Sequence, residues 1–450
     1  MWDGAGARYN AWTMLVPIIP SRTVGMVTRP RARWLRRLLM LVLCALCACA
    51  GPEQAAPAPA PSVTAEPAQV PIPAAPLNLT MWHSWNGRSA QALYLLARRY
   101  EQGHPNVRIT LEARPATSLV RDYSASVADG SAPQIVLVLS RYLGELADRR
   151  SVLPLDEQFT PEALTDLLPA ALEGAHVMGR LHGVPLSYES LVLFYDRRRV
   201  QEAPATVEQL LAPITPGSAP AGSETWGLAY YLSAASAMPY LSTFGGGIFD
   251  ADGDVMIDGE GREGTLRWLE WLQAMRADAR SFTSEDFGAV DAMIQSSRVA
   301  AAVDWSHRLP AYEQIWGRDA VGVAPLPRTD GEAPPPATFV LADVASINSV
   351  TTAQQRTAAA DFLLYLASAS AQELLAARGG QVPANVRART EDTTAMIAAA
   401  STGGAAFPNR AVDGRSWPFL EEMVRSVLVG SATPAEALDR AATALRVVAE

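Results

Sequence analysis

The three cysteines of this 450-residue chain all lie between residues 44 and 49, and none follows Cys49. No disulfide can therefore form within the rest of the chain, so its fold must be held together by the packing of an apolar core. That remainder is long enough to bury a large core, and its length predicts two or three domains.

The cysteines end an apolar run, residues 38–48, which follows a stretch holding five arginines, Arg29, Arg31, Arg33, Arg36 and Arg37. A basic start and a short apolar core are typical of a secretory signal peptide. Leu46 to Cys49 resembles a bacterial lipobox, which implies cleavage before Cys49 and a lipid on that cysteine. A cleaved leader without a lipid and a retained anchor stay open, although the run is shorter than the roughly 20 residues that span a bilayer.

Two further segments precede any folded domain. Residues 1–48 are interpreted as the leader. Residues 1–25 fit no region of a signal peptide, so we expect translation to start within it, at Met26. Residues 49–76 are rich in proline and alanine, a composition that favours extended polyproline II and cannot bury a core. We interpret them as a tether between the membrane and the domains.

The charge of the chain excludes several kinds of partner. The formal net charge is −9, and the leader carries most of its charge as arginine, so the mature chain is more acidic still. An acidic surface argues against nucleic acid and anionic lipid as partners. The chain contains no lysine, which excludes Schiff-base chemistry and a P-loop.

The pattern of apolar residues predicts an α/β fold. Strands are expected over residues 77–82, 107–111 and 135–139. Between them we expect a helix capped by Ser89 and a helix around residues 118–128. Strand, helix, strand, helix and buried strand indicate a parallel sheet. A second such region begins at residues 184–195, and further helices are expected around residues 266–275 and over residues 358–375.

No catalytic motif emerges from the sequence. The five histidines lack metal-ligand spacing, no G-x-S-x-G occurs, and Gly245 to Gly247 lacks the dinucleotide-binding pattern. Residues 250–254 resemble the start of a calcium loop but lack its glycine and its final glutamate, so we predict a hairpin turn. We expect no cofactor and no metal, and Glu189 has no second carboxylate that sequence alone can pair with it.

Aromatic residues are the remaining signal. Trp82 and Trp85 flank a short polar turn after the first strand, where open α/β sheets bind ligands. Trp226, Trp305 and Trp417 also lie at junctions between elements, and aromatic faces can stack on sugar rings. Trp268 and Trp271 have helical core spacing instead, so we expect them to be packing residues.

The order of several segments resembles bacterial extracellular solute-binding proteins of family 1, the maltose/maltodextrin-binding class of ABC importers. The landmarks are residues 79–85, 100–105, 130–136, 179–190, 244–250, 303–305, 323–327, 379–383 and 428–438. The resemblance implies a two-lobed α/β clamshell of the type II periplasmic-binding-protein kind, with three crossings between the lobes near residues 186–190, 338–345 and 388–393. It implies an N-terminal lobe of residues 77–187 and 345–390 and a C-terminal lobe of residues 188–344 and 391–450.

The resemblance also implies the ligand site. It implies a solute in the cleft, contacted by Trp82, Ser84, Trp85, Asn86, Ser140, Arg141, Tyr142, Tyr188, Glu189, Phe244, Asp304, Trp305, Arg308 and Trp417. An Asp-Lys pair of the maltose-binding pattern is here Asn86-Gly87, which argues against maltose itself.

The function implied is that of a monomeric, lipid-anchored binding protein that delivers a solute, a carbohydrate above all, to the permease subunits of an ABC importer. Two alternatives stay open. One is a secreted hydrolase or lyase acting on polysaccharide, with Glu189 as the acid. The other is a binding protein that serves signalling rather than uptake.

Overall fold

The computed structural model describes residues 76–211, 225–250 and 254–449. The predicted leader, Cys49 and the tether up to residue 75 lie outside these ranges. The described strands are β1 Leu77–His83, β2 Val107–Ala113, β3 Ile135–Leu139, β4 His176–Val177, β5 Arg180–Leu181, β6 Val184–Asp196, β7 Trp226–Tyr231, β8 Ser281–Ser284, β9 Val299–Trp305, β10 Val321–Ala324, β11 Phe339–Ile347, β12 Val382–Pro383 and β13 Ala405–Ala406.

The described α-helices surround these strands. They are α1 Gly87–Gly103, α2 Leu119–Asp129, α3 Leu143–Asp148, α4 Pro169–Glu173, α5 Val207–Leu210, α6 Ala234–Ala237, α7 Arg262–Ala277, α8 Phe287–Gln295, α9 Leu309–Trp316, α10 Ala353–Ala367, α11 Ala369–Leu374, α12 Asp392–Ala400, α13 Ala411–Leu428 and α14 Pro434–Ala449.

One mixed sheet forms the frame, in the order β2-β1-β3-β11-β6-β9-β7-β8, with β10 and β12 beside β6 and β13 beside β11. Strand β1 pairs in parallel with both β2 and β3, which confirms the parallel α/β layer predicted for the start of the domain. Strands β4 and β5 form a separate hairpin.

Strand β6 lies in the middle of this sheet and connects its two halves, β2-β1-β3-β11 and β9-β7-β8. Its first part pairs antiparallel with β11, and its second part, Leu191 to Tyr195, pairs with β9. The strand is almost continuously buried, as its run of apolar residues predicts. The first expected crossing, residues 186–190, therefore lies where β6 changes partner. The number of crossings stays a prediction.

Helix α1 presents the predicted face to the core, with Leu93, Leu96 and Tyr100 buried. It begins two residues before the expected cap, because Asn86 is the residue that precedes its first turn. The prediction that Ser89 caps the helix is wrong. The Ser89 hydroxyl instead donates to the carbonyl of Gly379, 3.1 Å away.

The single helix expected over residues 358–375 is two helices. Ser368 separates α10 from α11 because its backbone is extended and its hydroxyl accepts a hydrogen bond from the amide of Ala371, 3.3 Å away. A serine that caps a new helix competes with continuation of the old one. A short π-helical turn, Leu375–Gly379, follows α11.

One prediction about local packing is confirmed. Trp268 is fully buried in α7, and its indole N–H donates to the carbonyl of Ala237 at 3.1 Å. Phe249 pairs antiparallel with Val255, and the amide of Asp250 donates to the carbonyl of Asp254 at 3.0 Å. Residues 251–253 of the predicted hairpin turn lie outside the described residues.

Candidate functional site

A cavity of about 450 Å³ lies between the first turn of α1 and the first turn of α9. Residues 86–89 and residues 379–382 line one side, residues 306–308 with Pro310 and Ala311 line the other, and Tyr188 and Glu189 of β6 lie between them. Residues from both sides of strand β6, in the middle of the sheet, therefore line the cavity.

Glu189 and His307 form the polar centre of this cavity. The Nδ1 atom of His307 lies 2.9 Å from a carboxylate oxygen of Glu189, with both side chains largely buried. Because a carboxylate only accepts, Nδ1–H donates this hydrogen bond. The contact joins β6 to the turn that follows β9, so the two lining segments are held in one arrangement.

Tyr188 precedes this glutamate on β6. Its side chain is almost fully buried, and burial raises the pKa of its hydroxyl to about 12. The hydroxyl therefore stays protonated at neutral pH and can donate a hydrogen bond as well as accept one.

Arg308 is held by acids behind the cavity wall. Its Nε donates to the Asp304 carboxylate at 3.3 Å, and its terminal nitrogen pairs with Asp291. Asp304 is buried and also accepts hydrogen bonds from the Tyr312 hydroxyl at 2.9 Å and from the Trp305 amide at 2.8 Å. Asp304 therefore positions Arg308, and only the arginine lines the cavity.

The opposite wall depends on Gln381. Its Nε2 donates to the Ser89 hydroxyl at 2.6 Å, and its Oε1 accepts from the Ser187 hydroxyl at 3.2 Å. Residues 379–382 were not among the predicted site residues. The sequence analysis has them only within the landmark at residues 379–383, whose Gly380 has a φ of 72°, a left-handed backbone that suits glycine.

The two tryptophans expected after the first strand lie outside the cavity lining. Trp82 is half-buried, with the Arg114 guanidinium 4.1 Å from its ring centre and Glu112 accepting from its Nε1 at 2.9 Å. Trp85 is buried, and its Nε1 donates to Asp343.

The remaining aromatic candidates are also packed elsewhere. Trp305 is buried, with its ring centre 6.2 Å from that of Phe407. Trp417 is fully buried within α13. Phe244 packs against Trp271, with 5.7 Å between the ring centres.

The candidates after β3, Ser140, Arg141 and Tyr142, also lie outside the lining of this cavity. Ser140 is fully buried, and its hydroxyl accepts from the amide of Ala342 at 3.3 Å. Arg141 is buried over the ring of Tyr142 and donates to its hydroxyl. Ser84 is half-buried in the turn after β1. Of the predicted site residues, the cavity brings together Asn86, Tyr188, Glu189 and Arg308.

A scan against protein families matches residues 96–402 to a model described as bacterial extracellular solute-binding protein. The chain belongs to the bacterial extracellular solute-binding proteins. The resemblance inferred from its sequence landmarks is thereby confirmed. Membership in this family implies a location outside the cytoplasm. No described helix has the length and apolar character that crossing a bilayer would require.

Among curated proteins, this solute-binding protein is 25% identical over 172 residues to a maltotriose-binding protein of Pyrococcus abyssi. That match covers 38% of this chain and 37% of the relative, so the chain spans little more than a third of the relative's length.

Solved structures share the fold over most of the chain. A maltose/maltodextrin-binding domain of Bdellovibrio bacteriovorus bound to maltotriose is 21% identical with a TM-score of 0.67, covering 82% of this chain and 99% of its own. The GacH receptor of Streptomyces glaucescens is 20% identical with a TM-score of 0.69, covering 83% and 98%. The predicted α/β, two-lobed clamshell is confirmed.

Proposed function

We propose that this solute-binding protein captures a sugar or oligosaccharide in the cavity around Glu189 and delivers it to the permease of an ABC importer. The observation that carries the proposal is the cavity of about 450 Å³, walled by residues from both sides of β6. Its volume falls in the range of about 300–1,000 Å³ typical of sites for small ligands. The sugar ligands named for the relatives favour the carbohydrate.

Binding without turnover suits the chemistry of this cavity. Hydrolysis of a glycosidic bond ordinarily uses two carboxylates on either side of that bond. Glu189 is the only acid among the described residues that line the cavity, and His307 already binds it. We therefore favour a binding protein, in which the free energy of binding stabilises a closed arrangement of the lobes that the permease recognises.

The site can be tested by filling it. Ala311 lies on the cavity side of α9, whereas Gln314 is exposed on the same helix. The chain without its leader is titrated with neutral and charged mono- and oligosaccharides by calorimetry and tryptophan fluorescence. We expect Ala311→Trp to weaken binding more than tenfold and Gln314→Trp to leave it unchanged. Equal affinity for both variants would place the solute elsewhere, and release of a shorter product would favour the hydrolase.

The transport role needs its own test. A strain lacking this protein should lose uptake of the radiolabelled ligand, and the wild-type gene should restore it. Normal uptake in that strain, with a lost response to the ligand, would favour the signalling role instead.

We further propose that Cys49 carries a lipid and that residues 49–76 tether the domains to the membrane. The motif at residues 46–49 supports this proposal. Cys49→Ser should move the protein from the membrane fraction to the soluble fraction, whereas Cys44→Ser, inside the leader, should leave it on the membrane. Mass analysis of the mature N-terminus would show the diacylglycerol directly.

A further inference from the structure

A second cavity, of about 310 Å³, adjoins the first. The two share Arg88, Ser306, Pro310, Gly380 and Val382 in their linings. We call the two cavities together the groove. Its second part extends along α9 to residues 389–394, so a solute seated at Glu189 can extend past Arg88 into the second cavity.

Arginines outnumber acids in the groove. Its described lining carries Arg88, Arg308, Arg318 and Arg389 against Glu189, Glu313 and Glu391. The chain as a whole has a formal net charge of −9. The excess lies in the second cavity, whose described lining carries Arg88, Arg318 and Arg389 against Glu313 and Glu391. On an otherwise acidic protein, this local positive charge favours an anion there.

Two of these arginines are neutralised within the protein. Arg318 lies 3.3 Å from a carboxylate oxygen of Glu313 and 2.8 Å from one of Glu391. Arg308 is paired with two aspartates, as described above. Both acids of the second cavity thus face Arg318, and neither pairs with Arg88 or Arg389.

Arg88 and Arg389 supply the excess. Both are exposed, and among the described residues no carboxylate pairs with either guanidinium. The Nε of Arg88 donates to the carbonyl of Arg378 at 3.2 Å, which leaves the other N–H groups of its guanidinium for a ligand. Arg88 also lies in the first turn of α1, whose N-terminus adds a partial positive charge.

The described lining of the groove has few aromatic rings on which a neutral sugar ring could stack. Tyr188 is the only phenylalanine, tyrosine or tryptophan in its described lining, and that ring is almost fully buried. Recognition in the groove thus depends on charge and hydrogen bonds more than on aromatic stacking.

We propose that the solute carries an anionic group, a carboxylate or a phosphate, that binds in the second cavity against Arg88 and Arg389. This inference rests on the proposed function, because it assigns a chemical class to the solute of that site. Guanidinium groups bind both anions through paired, charge-assisted hydrogen bonds, so two arginines in one cavity lining suit either.

The test uses matched sugars. Glucose is compared with glucuronate and glucose 6-phosphate, galactose with galacturonate and galactose 6-phosphate, and inorganic phosphate serves as the group alone. Calorimetry on the leader-free chain should give at least tenfold tighter binding for one anionic member than for its neutral partner. The preference for the uronate or for the phosphate ester identifies the group, and raising the salt concentration should weaken the anionic ligand selectively.

Variants test the arginines. Arg88→Gln and Arg389→Gln should each lower affinity for the anionic sugar about tenfold, and Arg88→Lys should retain part of it. Arg108→Gln is the matched control, because Arg108 is an exposed arginine that donates to the carbonyls of Pro105 and Val107, away from the groove. It should bind like the wild type.

The outcomes separate the two proposals. If neutral sugars bind as tightly as anionic ones, and Ala311→Trp abolishes that binding, the sugar-binding function stands and the anionic class is overturned. Unchanged affinity of both glutamine variants for the anion also overturns it. If only neutral oligosaccharides bind, the anionic class is overturned and the sugar-binding function stands. If neither this panel nor the oligosaccharides bind, the sugar-binding function fails, and this inference fails with it.

Discussion

The indole N–H of Trp85 donates a 3.0 Å hydrogen bond to Asp343 across 258 positions of sequence. The other carboxylate oxygen of Asp343 accepts from the Ser187 hydroxyl at 2.8 Å. Asp343 lies in β11 where its register with β6 shifts. One buried carboxylate thus connects the turn after β1 to strands β11 and β6. Through Ser187, which also donates to Gln381, it is linked to the cavity wall.

The energy of this contact can be measured in a double-mutant cycle. A hydrogen bond to a buried charge contributes about 1.5–3 kcal/mol. We expect Trp85→Phe and Asp343→Asn each to destabilise the protein, with a coupling energy of at least about 1 kcal/mol in urea unfolding. Trp268→Phe is the control, since its indole N–H donates to a backbone carbonyl. Its effect should add to that of Asp343→Asn, and an equal coupling in both cycles would contradict the assignment.

Two of the three glycines at residues 245–247 lie against the backbone of helix α7. A Cβ on Gly264 of α7 would overlap the backbone of Gly245 and Gly246, so this helix and this loop approach each other at backbone distance. Gly264→Ala should therefore cost about 1–3 kcal/mol, as overpacking does.

Gly414 is the matched control for Gly264. It also lies near the start of a helix, α13, but a Cβ there would meet no described atom within 4 Å. Gly414→Ala should stabilise the protein by about 0.5–1 kcal/mol through helix propensity. Thermal unfolding of both variants checks the pair, and a harmless Gly264→Ala would rule out the close approach.

Sequence reasoning succeeded where the signal is local. Strands β1, β2 and β3 and the buried face of α1 follow from alternation and helical spacing, which depend on neighbours in the chain. The break at Ser368 was missed because a serine within an apolar helical pattern can either continue the helix or cap a new one, and tertiary packing decides.

The cavity could be predicted only in part, for the same reason. Asn86 follows the end of β1, and Glu189 lies where β6 changes its partner strand. Positions of both kinds can be suggested from the sequence. Residues 379–382 reach Ser89 only because the chain returns 290 positions later. The sequence around Trp417 also does not distinguish a ring that faces a cleft from one in the core, because burial depends on what packs over the ring.

Trp417 therefore provides a further test. It is fully buried, and its indole nitrogen has no hydrogen-bond partner among the described residues. We expect Trp417→Ala to cost about 3–5 kcal/mol of stability, as large core truncations do. Trp417→Phe should keep the affinity for the solute within about twofold. A large loss of affinity in a stably folded Trp417→Phe would return this residue to the binding site that the family resemblance implies.

Two buried histidines predict how stability changes with pH. Burial lowers the pKa of His83 and of His182 below the ordinary value of 6.5. Below about pH 6.5 the unfolded chain therefore binds protons that the folded protein does not, so stability falls as the pH is lowered from about 6.5 through the folded pKa values. Above about pH 6.5 both histidines are neutral in the folded and the unfolded state, so their contribution to the free energy of unfolding no longer changes with pH.

The measurement is urea unfolding from pH 7.5 to 5 for the wild type and for His182→Asn and His83→Gln. Each variant should lose less stability on acidification than the wild type. Differences between variant and wild type cancel the opposite contribution of Asp413 and Glu421, whose pKa values burial raises. Because desolvation rather than ion pairing lowers the histidine pKa values, the difference should persist in 1 M salt. Parallel curves for all three proteins would show that neither histidine titrates differently in the folded state.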